Sequence, residues 1–88
     1  MFKTRFTTYA SSGEAHLAQF EMIDDMPFVP QRGMRIILPV AGTMRTFVVT
    51  NLAFSPIKNL LFIRLSLASL IPANEFEKDP ELWTKVVS

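Results

Sequence analysis

Apolar, β-branched and aromatic side chains recur with a period of two in five separate runs, and each run stops at residues that turn a chain. A period of two puts successive side chains on opposite faces of a strand. The pattern therefore confines this sequence to short strands joined by tight turns. The runs are 2–9, 15–23, 34–38, 44–54 and 60–67. In the first, Phe2, Thr4, Phe6 and Thr8 share one face and Lys3, Arg5, Thr7 and Tyr9 the other. In the second, Ala18, Phe20 and Met22 lie on one side. Ser11-Ser12-Gly13-Glu14 reads as the turn of a hairpin made from these two runs.

Residues 24–33 read as a loop, because Pro27, Pro30 and Gly33 do not suit a strand interior. Phe28 and Val29, between the prolines, are expected to cap one end of the core. Pro39 to Thr43 turns the chain, with Gly42 available for a positive φ. In 44–54, Phe47, Val49 and Asn51 are expected on one face and Val48, Thr50 and Leu52 on the other. Ser55 to Asn59 forms a further hairpin turn. Leu61, Ile63, Leu65 and Leu67 then face inward, and Phe62, Arg64 and Ser66 outward. Pro72 ends the apolar run. Asp79-Pro80-Glu81 reads as a helix start, with Asp as N-cap and Pro in the first turn. Asn74 can cap an earlier turn. The tail places Leu82, Trp83 and Val86 on one stripe.

These elements give a mostly-β fold: a small five-stranded barrel or a strongly bent antiparallel sheet, with a short C-terminal helix. The length of 88 residues fits a single domain, 1–88. Within it we expect an N-terminal hairpin at 1–23, barrel strands at 34–67 and a helical tail at 74–87. Pro30-Gln31-Arg32-Gly33-Met34-Arg35-Ile36-Ile37-Leu38 is a loop that leads into a strand. Phe47-Val48-Val49-Thr50-Asn51-Leu52 is the next strand, and Leu61-Phe62-Ile63-Arg64-Leu65 its partner. In this order the spans resemble the small SH3-like β-barrels of short bacterial and phage proteins whose role is unassigned. Such sequences often carry an acid after the glycine, where this one has Met34. The resemblance implies an architecture and no activity.

There is no Cys, which removes disulfides, thiolate nucleophiles and Cys-ligated metals together and fits a cytoplasmic protein. Residues 1–6 lead into Thr7-Thr8-Tyr9 and not into an apolar run, so no secretory signal is expected. The longest apolar stretch, Leu60 to Ile71, contains Arg64, Ser66 and Ser69 and is too short to span a membrane. Eight Phe exceed the large-ring positions inside a small barrel, so some are expected on the surface or at a partner interface, most simply a homodimer.

Few residues offer chemistry. His16 is the one histidine, and no ligand spacing surrounds it. Asp24-Asp25 lacks the alternating ligands and glycine of a calcium loop. Glu75, Glu77, Asp79 and Glu81 suit the positive end of a helix dipole. The three glycines, Gly13, Gly33 and Gly42, form no phosphate-cradling loop. An enzyme would need an acid–base pair made from groups such as Glu21 and Asp24, and nothing supports one. We therefore expect no catalytic site, cofactor or metal, and no small-molecule or membrane partner.

Charge is distributed unevenly. Residues 1–9 carry +2, 10–25 carry −4, 26–74 carry +5 with no acid, and 75–88 carry −2. The leading expectation is a non-catalytic, self-associating protein-interaction module. Its contact residues would be Phe62, Phe47 and Tyr9, which alternate away from the assumed core. The alternative is a nucleic-acid-binding barrel that uses Arg32, Arg35, Arg45, Lys58 and Arg64 of the acid-free segment.

Overall fold

The computed structural model describes residues 2–13, 16–66 and 68–86. Alternation in the first two runs produces a long hairpin of β1 (Phe2–Gly13) and β2 (His16–Met26). Phe6 opposes Met22 and Ala10 opposes Ala18. Thr4, Phe6, Thr8 and Ala10 are buried, as are Ala18, Phe20 and Met22, so both inward faces follow the sequence. The strands outrun the expected boundaries. Ser11 pairs with Leu17 and Gly13 with His16 across a bulge, and Asp24 to Met26 pair with Thr4 to Phe2. Glu14, expected in the turn, and Leu67, expected to face inward, lie outside the described residues.

Two buried threonines replace aliphatic side chains on the inner face of β1. Each satisfies its hydroxyl, as burial requires. Thr4 donates to the Phe2 carbonyl at 2.9 Å, and Thr8 donates to the Ser66 carbonyl at 2.8 Å.

β3 (Arg35–Val40) and β4 (Thr43–Ser55) meet at a two-residue turn, Ala41-Gly42. Both residues have positive φ, 51° and 81°, which matches the twist of a tight hairpin. Pro39 and Val40 thus continue the strand, although they were expected to turn. Proline is tolerated because β3 is an edge. Counting back from the narrow Val40–Thr43 pair, Pro39 occupies a non-hydrogen-bonded site and its missing N–H costs no ladder bond.

A bulge between Val49 and Asn51 reverses the parity of β4. Before it Phe47 and Val49 share the inward face, although Phe47 was expected to alternate away from the core. After it Asn51 opposes outward Arg64, while Leu52 opposes buried Ile63 and Phe54 opposes buried Leu61. Asn51 was expected to face with Val49; the extra residue, Thr50, turns it out. Thr50 donates its hydroxyl to the Arg64 carbonyl at 3.1 Å.

A turn over Pro56 to Asn59 leads into β5 (Leu60–Leu65), followed by β6 (Ala68–Pro72), α1 (Ala73–Glu77) and β7 (Thr84–Val86). The strand order is β3-β4-β5-β1-β2-β7, and β6 also pairs with β1. Both β5 and β6 run parallel to β1, whereas the other neighbours are antiparallel. The sheet curls into a half-barrel around one apolar cluster that includes Phe6, Phe20, Phe47, Ile63, Phe76 and Trp83.

The tail corrects two expectations. Helix was expected over 74–87 with a start at Asp79; the helix observed is α1, which ends at Glu77. Asp79 forms only a single turn, its carbonyl accepting from the N–H groups of Leu82 and Trp83 at 3.1 and 3.0 Å. Thr84 to Val86 then pair with Glu21 to Gln19, covering the free edge of β2. Strand pairing and the burial of Trp83 outweigh the local capping signal. Phe28 and Val29 do not cap the core either: both are exposed, and Pro30 is the buried residue of that loop. The loop is anchored by Gly33 donating to the Val49 carbonyl at 2.8 Å, which leaves residues 28–29 outside.

Candidate functional site

The outer face of the curled sheet carries two distinct surfaces. The first lies over β5, β1, β2 and the end of β4. Outward alternation and strand register assemble it in rows. Ala53, Phe62, Arg5 and Ile23 form one row, and Asn51, Arg64, Thr7 and Glu21 the next. Tyr9 opposes Gln19 beyond them. Together they leave a shallow groove of about 250 Å³, lined by Thr7, Gln19, Asn51, Phe62 and Arg64 among others.

The groove is rich in donors. The Arg5 guanidinium carbon sits 5.5 Å from the Phe62 ring centroid, a cation–π arrangement. Arg5 Nε is 3.8 Å from Glu21 Oε2, too long for a hydrogen bond, and this buried nitrogen has no acceptor. Arg64 is exposed and, among the described residues, its guanidinium makes no ion pair. Asn51 Oδ1 accepts from the Leu52 N–H at 2.9 Å, which leaves the Asn51 amide nitrogen to donate outward.

The second surface is the outer face of the β3–β4 hairpin. Ile37, Met44 and Val48 are 59%, 63% and 37% exposed. Ile37 opposes Thr46, Met44 opposes Pro39 and Val48 opposes Arg35, so Ile37 is the diagonal neighbour of both Met44 and Val48 on one face. Beside them runs the free edge of β3. By the ladder alternation fixed at Val40–Thr43, the N–H and C=O groups of Arg35 and Ile37 point away from β4.

The expected interface residues separate. Phe62 and Tyr9 lie half-buried on the outer face. Phe47 does not: it is 2% exposed, opposes Ile36, and its ring lies 6.1 Å from that of Trp83. It belongs to the inward face of β4, and no monomer surface presents it. Of the eight Phe, Phe6, Phe20, Phe47 and Phe76 are core, and Phe2, Phe28 and Phe54 are exposed.

The five cations of the acid-free segment also disperse. Arg64 lies in the groove and Arg35 on the same outer face at the start of β3. Arg45 points inward between the positions of Phe47 and Thr43, with its Nε buried and without a partner. Arg32 is exposed in the loop and Lys58 in the β4–β5 turn. The groove recruits Thr7, Gln19 and Asn51 instead, with Arg5 beside it over Phe62. No local pattern marks these four: parallel pairing of β1 with β5 brings Arg5 and Thr7 beside Phe62 and Arg64, Gln19 comes with β2, and the β4 bulge turns Asn51 outward.

Among the described residues no group of three or more His, Asp or Glu is placed to hold a metal ion. His16 is exposed at the start of β2. No described helix is long and apolar enough to cross a membrane. No family model, curated protein or solved structure matches the chain.

Proposed function

We propose that this protein is a non-catalytic protein-interaction module that associates with a second copy of itself through the edge of β3 and the outer face of the β3–β4 hairpin. The observation that carries this reading is the exposure of Ile37 and Met44, 59% and 63%, beside an unpaired strand edge. Exposed apolar side chains grouped on one face mark partner sites, and an open edge is a template for another strand.

The edge is self-complementary. If two β3 strands pair antiparallel about Ile36, each Arg35 opposes the Ile37 of the partner copy. All the outward N–H and C=O groups of those residues are then used. Pro39 cannot extend the ladder, because it lacks an N–H and its carbonyl is already taken by Trp83. The same closed two-fold arrangement doubles the apolar patch across the dyad. A cytoplasmic location, and kinship with small SH3-like barrels of bacterial or phage accessory proteins, belong to this proposal; the absence of Cys and the mostly-β fold support them.

Light scattering on a sizing column, at low and high salt, tests the reading. A dimer that persists in salt is expected, since apolar association is not screened. Ile37→Lys should give a folded monomer. A wild-type monomer at both salts, or a variant that still dimerises, overturns it.

A further inference from the structure

We propose that the groove over β4, β5, β1 and β2 binds single-stranded nucleic acid, with the guanidinium groups of Arg64 and Arg5 on phosphates and the rings of Phe62 and Tyr9 beside the bases. This site is separate from the β3 edge and does not depend on self-association.

Three observations lead to it. First, the groove's unengaged polar groups favour an acceptor-rich ligand. Arg64 is exposed and free of ion pairs among the described residues, Arg5 meets Glu21 only at 3.8 Å, and exposed Asn51 has its amide oxygen already occupied. Thr7 and Gln19 add a hydroxyl and a second amide. Arg is the side chain whose planar fork best matches phosphate oxygens. Second, aromatic rings interleave with these donors. Phe62 lies in register with Arg5, and Tyr9 lies two residues beyond Thr7 on the same face of β1. Aromatic rings and guanidinium planes on an open sheet are the surface on which unpaired bases stack. Third, the groove is shallow and crosses four strands, about 15 Å at the usual strand spacing. That shape suits a chain laid across the sheet better than an enclosed small molecule. Glu21 is the one acid in the same rows, and it competes for Arg5.

Fluorescence anisotropy with short fluorescein-labelled oligouridylate and oligothymidylate tests the assignment. Binding is expected at low salt and should weaken as salt rises. Arg64→Gln should reduce affinity roughly tenfold and make the logarithmic salt dependence shallower by about 0.7, the value for one phosphate contact on a single strand. Glu21→Gln should tighten binding, a gain that misfolding cannot produce. Arg32→Gln, in the distant loop, should change nothing. The assignment fails if neither oligonucleotide binds at low salt, or if Arg64→Gln binds like the wild type. It also fails if polyglutamate displaces the probe as well as unlabelled oligonucleotide does, which would mark a general polyanion surface. Uridine monophosphate binding as tightly as the oligomer would replace it with a small-molecule site.

Discussion

The indole N–H of Trp83 donates to the carbonyl of Pro39 at 2.8 Å, and this bond ties together the two outermost strands of the sheet. Pro39 belongs to β3, one edge, and Trp83 immediately precedes β7, the other. The indole also completes the aromatic packing of the core. Phe76 stacks on Phe20 at 4.8 Å and meets Trp83 edge-on at 5.0 Å. Such pairs add about 0.5–1.5 kcal/mol each beyond simple burial.

Trp83→Phe retains most of the ring but leaves the Pro39 carbonyl without its donor. We expect a loss of about 1–3 kcal/mol, the cost of an unsatisfied buried group. Trp83→Ala should lose about 3–5 kcal/mol. Urea denaturation followed by circular dichroism measures both. A Phe variant with the wild-type midpoint would show that the bond contributes nothing.

Ala41 occupies left-handed backbone, φ 51°, at the first position of the tight β3–β4 turn. Asparagine adopts that conformation more readily than alanine. Ala41→Asn is expected to stabilise the protein by about 0.5–1 kcal/mol. In a domain of this size that raises the melting temperature by roughly 2–8 °C. An unchanged or lowered melting temperature refutes the strain argument.

Thr4 and Thr8 are equally buried but differ in what they hold. Thr8 bonds the Ser66 carbonyl, a contact between β1 and the end of β5, whereas Thr4 bonds a carbonyl two residues away in its own strand. Thr8→Val should cost about 1–2 kcal/mol by stranding that carbonyl. Thr4→Val should fall within about 0.5 kcal/mol of wild type. Equal effects would mean that the cross-strand bond has no special weight.

The proposed β3 pairing fixes a register that cysteine scanning can read, since the chain has no Cys of its own. Arg35→Cys mixed with Ile37→Cys should cross-link under mild oxidation, because those positions lie directly opposite. Ile37→Cys alone should not, as its two copies sit diagonally, about 7–8 Å apart and beyond disulfide reach. Efficient self-cross-linking of Ile37→Cys would place the dyad on Ile37 instead.

Local alternation is enough to sort the faces of β1, β2 and β5, because each strand buries one side. It fails where a single residue decides. Thr50 carries no sequence mark that distinguishes a bulge from a regular strand position, yet it turns Asn51 into the groove. Phe47 was expected to alternate away from the assumed core as an interface residue, and eight Phe were expected to exceed the room inside. The inner space is shared among Phe20, Phe76 and Trp83, and it accommodates Phe47 as well. The signal at Asp79-Pro80-Glu81 is a sound helix start, but long-range pairing with β2 overrides it. Arg5 escapes notice for the same reason: its neighbour Phe62 is brought to it by a parallel pairing that no short window contains.

That parallel pairing also has a consequence for how the chain folds. The hairpin of β1 and β2 needs only local contacts, whereas the second edge of β1 has no partner until β5 is carried back to it. Pairings of such long sequence separation are slow to form. During that interval β1 offers an open strand edge of high β-propensity, the kind of segment that seeds intermolecular association. Lys3 and Arg5 alternate with Phe2, Thr4 and Phe6 on this strand, the placement of charge that discourages such association. The guanidinium that ends up over Phe62 thus protects the nascent chain before it reaches its ring.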